Sequence, residues 1–206
     1  MKNPINLEHV TCNLCGADNY KVKYIKDGYN IVQCKKCDLV YVNPRLTQDA
    51  INQLYDKDYF LGEGFDKSIQ YQKEFDELSD KTDLSNWDIS TIKELMQTKE
   101  KTPKLLDIGC GMGLFLWKAK QAGFDVEGIE LSPFAADFVR SKGINVRDRS
   151  IYEEQLPKNN YDAISMKEVI EHLPDPKIAL RNVYNSLKPG GVLFMTTGNY
   201  DCPERK

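Results

Sequence analysis

The sequence predicts an α/β protein with a mostly parallel sheet, preceded by a small cysteine-rich domain. Three observations support this prediction. Strands and helices alternate in residues 104–206, a glycine-rich turn follows the first of these strands, and two C-x-x-C pairs lie near the N-terminus. Strands that alternate with helices of about ten residues are typical of βαβ units, whose strands run parallel.

Five strands are predicted in the C-terminal half, at residues 104–109, 124–131, 144–148, 161–166 and 191–197. The helix after the second strand begins with Ser132 as N-cap and Pro133 at the first helical position. The last helix repeats this arrangement, with Asp175 as N-cap. Gly123 and Gly143 are predicted to end two helices, since glycine readily adopts the left-handed conformation found there.

The chain is predicted to have three segments. Residues 1–44 hold both cysteine pairs and short β-like runs, residues 45–103 are polar, charged and mostly helical, and residues 104–206 form the alternating domain. In the middle segment, Thr47 is predicted to cap a helix that runs to residue 60.

Composition limits the partners that the protein can have. The 206 residues include 28 basic and 31 acidic side chains, which give a formal charge of −3. This balance gives no electrostatic reason to expect nucleic acid, which is disfavoured as a partner. No stretch approaches the ~20 apolar residues that span a bilayer, and residues 1–10 lack the apolar region of a secretory signal. We therefore expect a cytoplasmic protein with no membrane partner.

The stretch LLDIGCGMGLF, residues 105–115, predicts a strand, a tight turn and a helix. Gly109, Gly111 and Gly113 are spaced G-x-G-x-G, which differs from the G-x-G-x-x-G of dinucleotide-binding turns. The charge of Asp107 disfavours a phosphate at this turn and favours an amino group. Glu130 ends the second strand, where an acid accepts hydrogen bonds from both hydroxyls of a ribose. Both acids fit S-adenosylmethionine, which has an amino group, a ribose and no phosphate.

Four motifs resemble those of class I S-adenosylmethionine-dependent methyltransferases. They occur in the family's order: LLDIGCGMG at 105–113, VEGIELSP at 126–133, YDAISMKEVIEHLPDP at 161–176 and LKPGGVLFMTT at 187–197. The resemblance covers about residues 104–197. It implies a Rossmann-like, doubly wound sheet and methyl transfer from S-adenosylmethionine. The alternatives are a Rossmann-type domain for another nucleotide, including a nicotinamide cofactor, or for none.

The resemblance also implies cofactor-binding positions. Glu130 would hold the ribose, and Leu131 would pack on the adenine. Where the family often has Gly-Asp after the third strand, this chain has Arg149 and Ser150. Ser150 and Ile151 are therefore the candidates for the adenine contact. The complete predicted set is Asp107, Gly109, Cys110, Gly111, Gly113, Glu130, Leu131, Ser150, Ile151, Met166 and Lys167.

Two cysteine pairs predict a metal site. Cys12, Cys15, Cys34 and Cys37 are spaced C-x2-C-x18-C-x2-C, within the range of tetrahedral zinc sites. Four thiolates leave no open coordination position, so the zinc would be structural. The alternatives are free thiols or a redox pair. The pattern also resembles a methyltransferase subgroup with an N-terminal zinc ribbon, whose members act on nucleotide-linked sugars and other small metabolites.

The sequence offers one candidate general base, His172. The pKa range of histidine suits this role, although a histidine that only fixes the loop fits the sequence better. Lys167 would bind an anion or be exposed, and Arg45 would reach a phosphate or pair with surface acids. Tyr55 and Tyr59 would close over the cofactor or pack in the core.

Other predictions concern a cysteine, the chain end and the function. Cys110 is predicted to fill the glycine turn as a buried thiol. The family's sheet continues past the fifth strand whereas this chain stops at Lys206, so we expect the exposed fifth-strand edge to be covered, for example by self-association.

The first functional hypothesis is methyl transfer to a small molecule such as a nucleotide-linked sugar. The alternative is a cofactor-binding module without turnover, whose zinc ribbon recruits a protein or RNA.

Overall fold

The computed structural model describes residues 6–63, 70–79 and 86–200. The chain divides into two compact units. The N-terminal unit comprises Met1–Leu54 and Pro174–Lys177, and the α/β unit comprises Tyr55–Leu173 and Ile178–Lys206. The predicted segment boundaries at residues 44 and 103 stay a prediction. The two ends of the chain, 1–5 and 201–206, lie outside the described residues.

The N-terminal unit is built from two small antiparallel sheets and a helix. Its strands are β1 (Leu7–Glu8), β2 (Tyr20–Lys26), β3 (Tyr29–Cys34), β4 (Val40–Val42) and β5 (Arg45–Leu46), followed by helix α1 (Gln48–Leu54). Strands β2, β3 and β4 form one sheet, and β1 pairs with β5. The predicted N-cap is confirmed, since the hydroxyl of Thr47 accepts the backbone N–H of Ala50 at 3.4 Å.

The α/β unit begins with three helices: α2 (Lys57–Leu61), α3 (Tyr71–Leu78) and α4 (Asn86–Leu95). The prediction of one helix to residue 60 was wrong, because α1 ends at Leu54. Asp56 starts a new helix, since its carboxylate accepts the backbone N–H of Tyr59 at 3.0 Å and satisfies a free donor of the first turn.

The predicted parallel sheet is present in the α/β unit. Its strands are β6 (Lys104–Ile108), β7 (Asp125–Ile129), β8 (Asn145–Arg147), β9 (Tyr161–Lys167) and β10 (Leu187–Thr196). The helices are α5 (Leu114–Gln121), α6 (Pro133–Ser141) and α7 (Pro176–Ser186). The sheet order β10-β9-β6-β7-β8 is that of a Rossmann-like, doubly wound fold. In such sheets ligands bind at the carboxyl ends of the strands, beside the point where strand order reverses.

Two apolar clusters cover the two faces of this sheet. Neighbouring residues on a strand point to opposite faces, so Leu105 joins one cluster and Leu106 joins the other. The first cluster contains Ile92 of α4 and Leu116 of α5, and the second contains Val183 of α7. Helix α4, from the predicted linker, therefore packs into the core of the α/β unit.

Helix ends follow the prediction with one difference. Gly123 and Gly143 have φ values of 92° and 73°, as expected after a helix end. Asp175 accepts the N–H of Lys177 at 3.0 Å. Ser132 occupies the N-cap position of α6, but its hydroxyl makes no capping hydrogen bond. Its backbone N–H is instead bound by Glu130, at 2.9 Å.

Strand β10 lies at the edge of the sheet and, among the described residues, pairs only with β9. It begins at Leu187 rather than at residue 191, with a register shift between Leu187 and Val192. Self-association through this edge stays a prediction. None of the described helices is long and apolar enough to cross a membrane.

Candidate functional site

The glycine turn connects the end of β6 to helix α5. Gly109, Gly111 and Gly113 all have positive φ, at 71°, 52° and 77°, which side chains other than glycine rarely adopt. A Cβ on Gly109 would lie 2.5 Å from a methyl of Val169, and one on Gly113 would lie 2.7 Å from a methyl of Val139. A Cβ on Gly111 would meet its nearest atom, on the Phe60 ring, at 3.9 Å. Gly111 is thus the least crowded of the three turn glycines, with the Phe60 ring at ordinary van der Waals distance.

Asp107 is a buried carboxylate at the start of this turn. Its side chain accepts a hydrogen bond from the Ser165 hydroxyl at 2.7 Å, and the residue is 3% exposed. Burial raises the pKa of Asp107 from its usual 3.8 to about 7, although the Ser165 hydrogen bond and the Lys167 charge oppose this shift. The site therefore has an acid near neutrality that favours a cationic partner.

Glu130 follows β7 and is also buried. One carboxylate oxygen accepts the backbone N–H of Gly111 at 2.8 Å, and the other accepts that of Ser132 at 2.9 Å. Burial raises the pKa of Glu130, and these backbone donors lower it. The backbone N–H of Leu131 acts on this carboxylate as well. A carboxylate has about four lone-pair positions, so Glu130 holds the glycine turn and retains acceptor capacity for a ligand hydroxyl.

The predicted adenine contacts differ in exposure. Leu131 is 37% exposed, so its side chain is available to a ligand, whereas Ile151 is buried in the core beside α7. Ser150 begins a turn in which its carbonyl accepts the N–H groups of Glu153 and Glu154. Arg147 of β8 anchors this turn, because its guanidinium donates to the carboxylate of Glu154 at 2.7 Å.

The side chains of Met166 and Lys167 are both engaged in the protein. The side chain of Met166 is fully buried in the core, so only its backbone is available at the carboxyl end of β9. Lys167 donates to Asp88 of α4 at 2.5 Å, and its ammonium lies 4.9 Å from the centre of the Phe115 ring. The predicted alternatives for Lys167, an anion contact or simple exposure, therefore miss its ion pair with the linker helix.

Cys110 is a buried thiol as predicted, but its side chain packs into the core rather than into the glycine turn. It is 8% exposed and belongs to the core, where its sulfur faces Gly128 of β7. Burial raises the pKa of this thiol well above its usual value, so it is not a nucleophile at neutral pH. Because the side chain points into the core, only the backbone of Cys110 could contact a cofactor.

Aromatic rings lie beside the glycine turn. Tyr55 and Tyr59 meet edge to face with ring centres 5.1 Å apart, and Phe60 is 5.1 Å from Tyr59. Burial raises the pKa of Tyr55, and the negative charge of Glu130 raises it further. Of the predicted alternatives for these tyrosines, packing is observed, and closure over the cofactor stays a prediction.

His172 lies in a short 3₁₀ turn after β9 and is exposed. Its ring lies 6.2 Å from the Tyr55 ring, centre to centre, in an edge-to-face arrangement. The backbone N–H of His172 closes the turn through the carbonyl of Val169 at 2.9 Å. The imidazole thus lies next to the ring pair of Tyr55 and Tyr59.

The four predicted metal ligands converge in the N-terminal unit. The sulfurs of Cys12, Cys15, Cys34 and Cys37 all lie within 4.8 Å of one another, and two pairs are 3.5 Å apart. A tetrahedral zinc with Zn–S bonds of about 2.3 Å places sulfurs ~3.8 Å apart, so this arrangement fits zinc. A disulfide would need about 2 Å. The backbone N–H of Lys36 lowers the pKa of Cys34 to about 7. Despite the opposing backbone N–H of Leu39, burial and the neighbouring thiols raise the pKa of Cys37 to about 12, so ionisation of all four thiols would depend on the metal.

Arg45 has a structural role within the N-terminal unit. Its guanidinium donates to Glu8 at 2.9 Å and to the carbonyl of Pro174 at 2.8 Å. Asn13 donates to the same carbonyl at 2.9 Å. Of the two predicted alternatives, pairing with an acid is therefore the one observed.

Three residues that contribute to the site were missed by the sequence analysis. Ser165 binds Asp107, Asp88 binds Lys167, and Phe60 faces Gly111. Each belongs to a segment that the sequence places far from the turn. For Ser165, the sequence predicts strands β6 and β9 but not their register. Only the register places Ser165 opposite Asp107.

Comparison with known proteins supports the same class of fold. Residues 71–206, more than half of the chain, match a family model described as a methyltransferase domain. The ubiquinone biosynthesis O-methyltransferase of Bordetella avium is 35% identical over 103 residues, which are 47% of this chain and 43% of that protein. The enzyme of the same name from Pseudomonas fluorescens (strain Pf0-1) is 35% identical over 103 residues, with 47% and 44% covered. The chain thus spans less than half the length of these relatives.

Among solved structures, a sugar N-methyltransferase from Streptoalloteichus sp. has a TM-score of 0.51 at 21% identity, covering 62% of this chain and 53% of that one. At this identity the likeness concerns the fold. A doubly wound sheet with a glycine turn and two buried acids at its carboxyl edge defines a nucleotide-cofactor domain. Together with the family match, this shows that the chain belongs to the methyltransferase domain family, whose cofactor is S-adenosylmethionine.

Proposed function

We propose that the protein transfers the methyl group of S-adenosylmethionine to a hydroxyl oxygen of a small-molecule acceptor. The observation that supports this most directly is the pair of buried acids at the carboxyl ends of two neighbouring strands, Asp107 on β6 and Glu130 after β7, where Glu130 binds the Gly111 N–H. The choice of oxygen follows from the relatives, which are named O-methyltransferases.

The chain's own residues would hold the cofactor by charge and hydrogen bonding. Asp107 would accept the amino group, and Glu130 would use its remaining acceptor capacity for a ribose hydroxyl. The exposed side chain of Leu131 would cover one face of the adenine, near Ser150 and Ile151. S-adenosylmethionine supplies an already activated methyl group, so the protein's main task is alignment of the acceptor.

His172 is proposed as the general base for the acceptor hydroxyl. Its exposed ring lies beside Tyr55, which packs through Tyr59 against Phe60, the residue that faces Gly111 of the glycine turn. Neutral imidazole can accept the hydroxyl proton near pH 7. Two acceptor classes are proposed: nucleotide-linked sugars, and hydroxyl-bearing precursors of ubiquinone, which the names of the relatives suggest.

Zinc is proposed as a structural ion in the N-terminal unit. The four sulfurs fit a tetrahedral site, and the few other buried side chains of this unit give it little core. All four coordination positions would be filled by thiolates, so the ion would take no part in methyl transfer.

The proposal is tested with methyl-labelled cofactor and both acceptor classes, on the wild type and on His172→Gln. We expect labelled methyl ether on the acceptor and a turnover rate about 10²- to 10⁴-fold lower in the variant, since proton transfer contributes that much. Binding of S-adenosylhomocysteine should be unchanged in the variant. Full turnover by His172→Gln would assign this histidine to the loop alone, and methyl recovered on nitrogen would refute the oxygen acceptor.

A further inference from the structure

The hydroxyl of Tyr41 is buried and has no hydrogen-bond partner in the described part of the chain. Burial of an unpaired hydroxyl is unfavourable, because the group gives up water without replacing it. Such an oxygen in a native fold therefore calls for a partner that the protein alone does not supply. Tyr41 lies on β4 of the N-terminal unit, the unit that holds the four cysteines.

The strand register places Tyr41 on the same face of its sheet as Cys34. Tyr41 pairs directly with Val32, and Cys34 follows Val32 by two residues on β3. Residues two apart on a strand share a face. Tyr20, which pairs with Cys34, meets the Tyr41 ring edge to face at 6.4 Å.

Cys34 is the sulfur-bearing residue that the sheet geometry places beside Tyr41. It is fully buried, and Tyr20 and Tyr41 lie on the same face of the sheet around it. Its sulfur accepts the backbone N–H of Lys36 at 3.4 Å.

We propose that the Tyr41 hydroxyl donates a hydrogen bond to the Cys34 sulfur when that sulfur is a zinc-bound thiolate. This inference rests on the zinc site proposed above. A protonated thiol is a weak acceptor, whereas a thiolate carries charge and accepts a strong hydrogen bond. Zinc binding removes the thiol proton and so creates the acceptor that the buried hydroxyl lacks.

The hydrogen bond would stabilise the loaded site against loss of its metal. Four thiolates around one Zn²⁺ leave a net charge of −2, which donors close to the sulfurs offset. Partners of metal ligands commonly change metal affinity about 10- to 100-fold when they are removed. Tyr41 would be a positioning residue for Cys34, with no contact to cofactor or acceptor.

The first test compares zinc transfer from the full chain to a chromophoric chelator in Tyr41→Phe and Tyr20→Phe. Both variants lose one hydroxyl from the same ring pair, but only the Tyr41 hydroxyl is buried without a partner. We expect one zinc per chain in all three proteins and a transfer rate about 10- to 100-fold higher in Tyr41→Phe alone. Equal rates in both variants would overturn the inference. Absence of zinc from the wild type would instead refute the zinc site itself.

A second measurement needs no variant and decides the matter if Tyr41→Phe does not retain metal. The wild-type protein is loaded with the NMR-active cadmium isotope in place of zinc, and its slowly exchanging hydroxyl protons are recorded. A hydrogen bond to a metal-bound sulfur transmits scalar coupling between the proton and the metal nucleus. We expect such coupling at the Tyr41 hydroxyl proton. A cadmium-loaded protein without it would contradict the proposal.

Discussion

Asp107 is a carboxyl group in an environment that disfavours its ionised form. The side chain lies at the carboxyl edge of the sheet, it is almost inaccessible to water, and its described hydrogen-bond donor is a neutral hydroxyl. Burial disfavours the ionised form and raises its pKa to about 7. A cationic amino group would reverse this preference, so the proposed site would select S-adenosylmethionine over a phosphate-bearing nucleotide.

Asp107→Asn should stabilise the cofactor-free protein in a pH-dependent way. The folded-state pKa lies above the unfolded value, so the cost of ionisation grows from about pH 4 and levels off above about pH 7. The free energy of unfolding of the variant, relative to that of the wild type, should therefore rise by about 2–3 kcal/mol from pH 5 to pH 8. The slope is ~1.4 kcal/mol per pH unit until it levels off near pH 7. Urea unfolding of both proteins at the two pH values measures this gain. A stability difference that is the same at both would show that Asp107 ionises normally.

Single residues differ in how far the sequence could specify them. Asp107 and Glu130 follow from the pattern, because strand ends and glycine turns are visible in the sequence. Ser165 could not be predicted as the partner of Asp107, because this contact depends on the register between β6 and β9. The orientation of Cys110 into the core depends on its packing against Gly128, which is equally a tertiary effect.

The strands and helices of the α/β unit show how much periodicity and cap residues can predict. The five strands and their parallel order agree with the prediction, because buried runs separated by capped helices give a strong local signal. The break between α1 and α2 was missed, because the Asp56 cap competes with an unbroken helical pattern. The packing of α4 into the sheet core was also missed, because nothing local specifies which face of the sheet it covers.

The turn between β6 and α5 should tolerate no side chain at Gly113. A Cβ there would lie 2.7 and 2.8 Å from the two methyls of Val139, which is 1% exposed and has little room to move. Gly113→Ala should lower the free energy of unfolding by about 2–5 kcal/mol, the sum of backbone strain and overpacking. Gly143→Ala is the control. It has a similar φ of 73°, and its Cβ would meet only the end of Lys120, at 3.8 Å, so its cost should be about 1–2 kcal/mol. Denaturant unfolding compares the two, and equal losses would argue against the close fit at Val139.

At the scale of the whole molecule, the two units depend on different sources of stability. The α/β unit has two extensive apolar clusters on its sheet. In the N-terminal unit, the buried apolar side chains among the described residues are Val32 and two cysteines, Cys12 and Cys34. So small a core is insufficient alone, and bound zinc would supply the missing free energy.

Loss of a single cysteine ligand should therefore remove zinc and unfold the N-terminal unit. We expect about one zinc per chain in the wild type and about none in Cys34→Ser, since a structural site needs all four ligands. Cys110→Ala is the matched control, because its thiol lies in the core of the α/β unit and should not affect zinc content. Metal analysis, together with hydrogen exchange of residues 20–42, measures both effects. Retention of zinc and exchange protection in Cys34→Ser would contradict the assignment.

The division of the chain was less accessible to prediction than either unit alone. Cysteine spacing and glycine patterning indicate two kinds of domain. The inclusion of Pro174–Lys177 in the N-terminal unit depends instead on tertiary hydrogen bonds from Asn13 and Arg45 to the Pro174 carbonyl. Such contacts join residues more than 100 positions apart, and no local pattern specifies them.

The central claim is that the glycine turn and Glu130 bind S-adenosylmethionine through its ribose. Calorimetric titration with S-adenosylhomocysteine tests it on the wild type, on Glu130→Gln and on Asp125→Asn. Asp125 is the matched control, since it is an exposed acid at the opposite end of the same strand. We predict that Glu130→Gln weakens binding by about 1–3 kcal/mol, as for loss of a charged hydrogen-bond acceptor, and that Asp125→Asn leaves it unchanged. No binding by the folded wild type, or equal affinity in Glu130→Gln, would contradict the account.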